Sequence, residues 1–329
     1  MPDPAAAGGA RFDIPAAPVD DILPRPTAAA PPVEQGPAVA LWRTARPRQW
    51  IKNVLVFAAP GAAGVLFHPH ALGRSAAAFA IFCVASSGSY FLNDAVDAEA
   101  DRSHPTKRNR PVASGQLSVS AAVAVSAFLL ALALGLAALV GIKLLVAMAT
   151  YVAIPALGYS LWFKKEPVLD IAAVASGFIV RAIAGGVATG VPLSNWFLIV
   201  ASFGSLFVVA GRRYAEHLGL GDERADHRTT LAQYSVGYLR YVRSVSSAVA
   251  IAAYCVWAFE KATPSGHPAG GAIWFELSIA PFVLAVLRYS LVLEEGRGDA
   301  PEDVIVRDRP FQALVAIWAL VFALGVYAL

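Results

Sequence analysis

The segment from Asn93 to Asp101 carries three aspartates, Asp94, Asp97 and Asp101, behind Asn93, and runs on into Lys107, Arg108 and Arg110. It closes an apolar stretch. Carboxylate oxygens are hard ligands suited to Mg²⁺, and Mg²⁺ held by protein carboxylates usually shares its remaining positions with substrate phosphates. On a helix advancing about 100° per residue, the three aspartates fall within roughly 60° of one another. The cluster predicts a metal–diphosphate site at a membrane surface, with Asp94, Asp97 and Asp101 as metal ligands and catalytic carboxylates and Asn93 as a neutral helper.

Three further constellations lie where chain segments meet the membrane. Arg46-Pro47-Arg48-Gln49-Trp50-Ile51-Lys52-Asn53 enters an apolar window; Arg43 and Arg46 equally suit lipid headgroups, whereas Lys52 and Asn53, already inside the window, suit a bound anion. The run from Tyr159 to Asp170 holds Lys164, Lys165 and Glu166, and Arg181 follows eleven residues after Asp170. That spacing puts Asp170 and Arg181 on one helix face about 16 Å apart with Gly177 between them. A mid-span arginine is costly unless it is paired or meets a ligand; the alternative reading is a structural ion pair. Arg212 and Glu216 are i, i+4 neighbours that either pair on a helix surface or wall the same cavity. The charges of 222–228 and 294–309 read as solvated loops. Together, Lys52, Lys107, Arg108, Arg110, Lys164, Arg181 and Arg212 exceed what one diphosphate needs. A ligand with a diphosphate–Mg²⁺ end and a second phosphate elsewhere would use them.

The elements that must position these groups are transmembrane helices. The 329 residues are 57% hydrophobic and 15% charged, with mean hydropathy +0.58. No charge occurs between Arg110 and Lys143 or between Arg181 and Arg212, and each gap exceeds the ~20 residues of one span. Apolar windows predict an all-α bundle of nine spans near 51–69, 72–96, 118–140, 142–161, 169–190, 194–211, 240–259, 271–293 and 307–329. With a cytoplasmic N-terminus, inside segments hold 22 Lys/Arg and outside segments three, which sets the Asp cluster and its cavity on the cytoplasmic side. Trp50, Trp162, Trp196 and Trp274 fit interfacial anchors. Cys83 and Cys255 read as buried thiols. Residues 1–40, with nine of the 22 prolines, are expected to form a disordered cytoplasmic tail before a membrane domain over 41–329.

The pattern N-D-x-x-D-x-x-x-D before a basic H-P-x-K-R-x-R-P resembles the first aspartate-rich motif of the UbiA-type intramembrane prenyltransferase superfamily, over roughly residues 42–329. The usual second D-x-x-x-D is replaced here by Glu166 and Asp170 beside Lys164 and Lys165. With Arg46–Asn53, Ala175-Ser176-Gly177-Phe178, Arg181–Gly186 and Arg213-Tyr214-Ala215-Glu216, the chain looks like the actinobacterial decaprenyl-phosphate phosphoribosyltransferases within that superfamily. The resemblance implies Mg²⁺-dependent transfer of 5-phosphoribose from phosphoribosyl diphosphate (PRPP) to a polyprenyl phosphate, for the arabinose donor of a bacterial cell wall, in the plasma membrane.

On that implication PRPP contacts Lys52, Asn93, Lys107, Arg108, Arg110, Tyr159, Lys164, Asp170, Arg181 and Arg212. The lipid phosphate lies near Arg48, Gln49 and Lys52, and the polyprenyl tail runs between helices into membrane lipid. No nucleic acid is expected as partner, and a homo-oligomer stays open. The competing enzyme reading is a prenyltransferase moving a polyprenyl group from its diphosphate to an aromatic acceptor, which shares the first motif. A transporter would need charges reaching both faces, whereas these gather at one.

Overall fold

The computed structural model describes residues 36–219, 231, 233–262, 269–295, 304 and 306–327, and among them there is no strand. The expected tail lies outside the described residues up to position 35, as do most of the expected solvated loops at 222–228 and 294–309. Helix α1 (Pro37–Ala45) overlaps the end of the expected tail, starting on a proline and burying Ala40 and Thr44. Proline suits a first helical position because its missing N–H has no intrahelical partner there.

Eight helical stretches among the described residues are long and apolar enough to cross a membrane. They are α3 (Pro69–Val96), α5 (Val119–Val140), α6 (Ile142–Leu161), α7 (Leu169–Thr189), α8 (Asn195–Gly219), α9 (Val236–Ala262), the pair α10 (Ala269–Leu277) and α11 (Ile279–Glu294), and α12 (Arg309–Tyr327). The expected single helix over 271–293 breaks at Ser278. Pro281 has no N–H to bond the Leu277 carbonyl one turn back.

The ninth expected span, 51–69, is not an α-helix. Pro47–Phe57 forms a 3₁₀ helix followed by the short α2 (Ala58–Ala62). A 3₁₀ rise of about 2 Å per residue carries its eleven residues roughly 22 Å, against about 16 Å for an α-helix of that length. Glycine makes room for it. A Cβ on Gly185 of α7 would stand 1.8 Å from the Val56 carbonyl oxygen, so backbone lies directly on backbone.

α6 contains a π-helical stretch, Val152–Gly158, around Pro155, whose missing N–H loosens the regular ladder. The main core joins α3, α5, α6 and α7 through Ala78, Phe82, Ala85, Ala133, Ala137, Leu144, Met148 and Ala184. Small residues dominate because close backbone approach drives helix packing where lipid is as apolar as the core. At the end of the bundle remote from the aspartates, Arg74 Nη1 donates to the Val140 and Ala188 carbonyls, 3.2 and 3.3 Å. One guanidinium thus fastens α3, α5 and α7 together.

Candidate active site

α3 ends at Val96, Asp97 takes φ −91°, ψ 1°, and α4 (Ala98–Ser103) follows. The three aspartates therefore do not share one uninterrupted helix face, and three cations meet them, one of which bridges two of the carboxylates. Asp94, buried, accepts from Arg46 Nη2 at 2.5 Å and from Arg110 Nη1 at 3.2 Å. The same Arg110 nitrogen reaches Asp101 at 2.7 Å, and Asp97 accepts from Lys164. Among the described residues no three Asp, Glu, His or Cys side chains gather around one point. The donor set is nevertheless all oxygen, and the Asn93 Oδ1 beside it is buried without a hydrogen-bond partner among the described residues. Such donors fit a hard divalent ion. The cationic nitrogens of Arg46, Arg110 and Lys164 stand where its charge would stand.

Arg181 lies apart from that cluster, buried in α7. Its Nε donates to Asn53 Oδ1 at 2.7 Å, Nη1 to the Gly177 carbonyl at 2.7 Å, and Nη2 to the Tyr151 hydroxyl at 3.1 Å. Its guanidinium also packs 4.7 Å from the Tyr151 ring centroid and 5.6 Å from that of Phe82. Among the described residues no carboxylate meets it. The alternative of a structural ion pair for Arg181 is thus not what the side chain makes. Between the two groups stands Tyr90, with Arg46 stacked 5.1 Å from its ring and its hydroxyl within electrostatic reach of Arg46, Arg181 and Arg212.

Asp170, expected to touch the sugar diphosphate, is closed off. It is fully buried, and both oxygens accept from Arg213, at 2.8 and 3.0 Å. Helix periodicity sets Asp170 and Arg181 on one face about 16 Å apart, and α8 brings its Arg213 to the first turn of α7, where it takes that carboxylate. Arg212 pairs with Glu216 at 2.9 Å, the surface arrangement that the i, i+4 spacing allows. Lys52 donates to Gln49, Arg48 and Arg108 are exposed, and Lys107 and Tyr159 are half-buried.

Several residues of this end escaped the sequence reading as site members. Tyr90 precedes Asp94 by one turn, an i, i+4 signal that could have found it. Arg46 was visible but equally explicable by lipid. The network of Tyr214, Arg243 and Glu294, in which Glu294 accepts from Tyr214 at 2.5 Å and from Arg243 at 3.0 Å, has no local spacing to reveal it. Neither has Tyr234, whose hydroxyl accepts the Val168 N–H at 2.7 Å; burial pushes that phenol up to about 12.

An apolar cavity of about 460 Å³ opens between the 3₁₀ segment, α7, α8, α9, α11 and α12, lined among others by Leu55, Ala182, Phe197, Trp257, Phe282 and Trp318.

An all-helical bundle with eight stretches able to cross a membrane among the described residues, and with buried carboxylates and cations gathered at one end, defines a multi-pass integral membrane protein. The sequence profile of the UbiA prenyltransferase family matches residues 54–313, and the chain belongs to that family. It is 43% identical over 286 residues to a decaprenyl-phosphate phosphoribosyltransferase of Corynebacterium glutamicum, covering 86% of this chain and 85% of that one. It is 42% identical over 278 residues to one of Mycobacterium tuberculosis, covering 83% and 89%. Its fold is similar to a UbiA homolog from Archaeoglobus fulgidus solved with DMAPP and Mg²⁺, with a TM-score of 0.67 and 18% identity over 88% of this chain and 99% of that one.

Proposed function

We propose that this chain transfers 5-phosphoribose from PRPP to decaprenyl or a related polyprenyl phosphate, releasing diphosphate, with Mg²⁺ as cofactor. The N-terminus and site face the cytoplasm of a bacterial plasma membrane, in keeping with the 22-to-3 distribution of Lys and Arg. The observation that carries the reading is the separation of two anion sites. One is an aspartate cluster already crowded with cations, and the other is a deeply buried arginine whose partners are all neutral among the described residues. A donor with a diphosphate on C1 and a phosphate on C5 matches that layout, and the named relatives supply the substrate class.

Asp94, Asp97 and Asp101, with Asn93, would hold Mg²⁺, which when bound neutralises charge on the departing diphosphate. Arg46, Arg110 and Lys164 are then released from their carboxylates to grip phosphate oxygens, since guanidinium forks and ammonium groups bind both anions by the same charge-assisted hydrogen bonds. Lys107 and Arg108 add positive potential at the rim. Arg181, with Tyr159 and Arg212 nearby, takes the 5-phosphate. Gln49, Lys52 and Arg48 orient the lipid phosphate, and the apolar cavity accepts the isoprenoid chain. The lipid phosphate is already anionic at neutral pH and needs no base. Its oxygen bonds to C1 as the C1–diphosphate bond breaks, and the protein's task is in-line placement. Asp170, closed off by Arg213, joins α7 to α8 and does not touch the sugar.

The test is purified protein in lipid nanodiscs with labelled PRPP, a panel of polyprenyl phosphates and Mg²⁺. A labelled phosphoribosyl lipid is expected, abolished by chelation and restored by added Mg²⁺. Transfer from labelled polyprenyl diphosphate to an aromatic acceptor, with none from PRPP, would overturn the proposal.

A further inference from the structure

Two non-glycine residues among those described have positive φ, Arg46 (φ 52°) and Val168 (φ 69°). Both sit in segments that deliver a cation onto the aspartate cluster. Arg46 does so with its own side chain, and Val168 ends the loop that carries Lys164 to Asp97. Strained backbone persists only where its surroundings over-determine it, and it concentrates at working sites. For a β-branched residue this conformation is a true outlier.

Val168 has φ 69° and ψ −50°, and the Leu169 N–H donates to the Pro167 carbonyl at 2.8 Å. That is a γ-turn of the rare, strained hand. The Val168 side chain is exposed, so packing around it does not impose the turn. The anchors on either side do. Upstream, the Phe163 ring lies against Gly158, where a Cβ would stand 2.5 Å from it. Downstream, Asp170 is locked by Arg213. On the turn itself, the Tyr234 hydroxyl accepts the Val168 N–H at 2.7 Å. Tyr234 is buried among Ile171, Ala175, Val209, Tyr214 and Leu239 and stacks on Tyr238 at 5.8 Å, so its hydroxyl is a fixed post.

We propose that Tyr234 is a positioning residue: by holding the Val168 N–H in this turn it sets the placement of Lys164 over Asp97, and thereby the grip on the diphosphate-bearing donor. The last clause rests on the function proposed above. The first does not. With Asp170 fixed, relaxing Val168 to a negative φ swings the chain upstream of it, and the nearest charged group able to leave the cluster is Lys164.

The test uses full-length protein in nanodiscs and two readouts. One is the rate at which an amine-selective acylating reagent modifies Lys164, read by mass spectrometry; the other is initial rate against PRPP concentration. Tyr234→Phe keeps the ring and removes the acceptor. It is expected to speed Lys164 acylation several-fold and to raise the apparent KM for PRPP about tenfold with kcat little changed. Adding Val168→Gly supplies a residue that holds positive φ without help and is expected to move both readouts back toward wild type. A merely structural tyrosine would lower thermal stability without this pairing or its rescue. Lys164 acylation unchanged in Tyr234→Phe overturns the positioning role, whatever the kinetics. Altered acylation in a protein that turns over no PRPP even as wild type supports the placement of Lys164 and overturns the functional reading instead.

Discussion

Asp94 and Asp170 are both buried carboxylates facing arginine, with side-chain exposures of 2% and 0%, yet they are held in opposite ways. Asp94 is met by Arg46 and Arg110, which come from segments between helices and are themselves 28% and 27% exposed. Asp170 is met by one arginine from the body of α8, 4% exposed, with two hydrogen bonds. A guanidinium on a loop near water can change partners at modest cost. One sealed between helices cannot, because removing either member leaves an uncompensated buried charge. The first pair is suited to exchange with a ligand, and the second to hold two helices together.

That contrast breaks most sharply under substitution. Asp94→Asn is expected to lower kcat/KM for phosphoribosyl transfer by about 10²–10³-fold, on the scale of losing one electrostatic contact to a developing charge. Its melting temperature should stay close to wild type, and an inactive protein that also fails to fold would erase the distinction. Asp170→Ala should do the reverse. A destabilisation of about 3–5 kcal/mol, measured by denaturation in detergent, should accompany near-normal KM for PRPP in the fraction that folds. Arg181→Met sharpens the comparison with a third type of buried charge, one whose partners among the described residues are all neutral. It should raise the apparent KM for PRPP about tenfold while leaving kcat within a few-fold, as initial-rate kinetics would show.

The smallest effect is alkaline. Tyr234 has its phenol raised from 10.0 to about 12 by burial, so its contribution to stability is fully present below pH 10 and is lost as pH rises through about 12. Thermal denaturation in that window should fall more steeply for wild type than for Tyr234→Phe.

The span pattern was legible from hydropathy because each helix must bury an apolar surface long enough to cross lipid. Even so, the first expected span proved to be a 3₁₀ segment, Pro47–Phe57, followed by one short α-helix, and the helix expected over 271–293 is interrupted three residues before Pro281. Chemistry and spacing singled out the three aspartates, but the helix break after Val96 could not be read from their period, and it parts them from the single face that the spacing predicts. Arg110 and Lys164 were among the cations the sequence singled out, whereas Arg46 was equally explicable by lipid; which carboxylate each meets was not legible, since Arg46 lies 48 residues from Asp94, Arg110 lies 16 and 9 from Asp94 and Asp101, and Lys164 lies 67 from Asp97. Which one arrives depends on how the loops ride on packed helices. Helix periodicity placed Asp170 and Arg181 on one face correctly as geometry, but a face is shared with neighbours, and α8 supplied the nearer cation. Tyr234 was invisible for the same reason, since its value lies in a backbone N–H 66 residues away.

The Arg74 fastening has a mechanical corollary. Arg74 lies about 30 Å along α3 from Asp94, so one guanidinium ties the three helices at the end of the bundle opposite the acids, and the clasp and the carboxylate cluster can be altered independently.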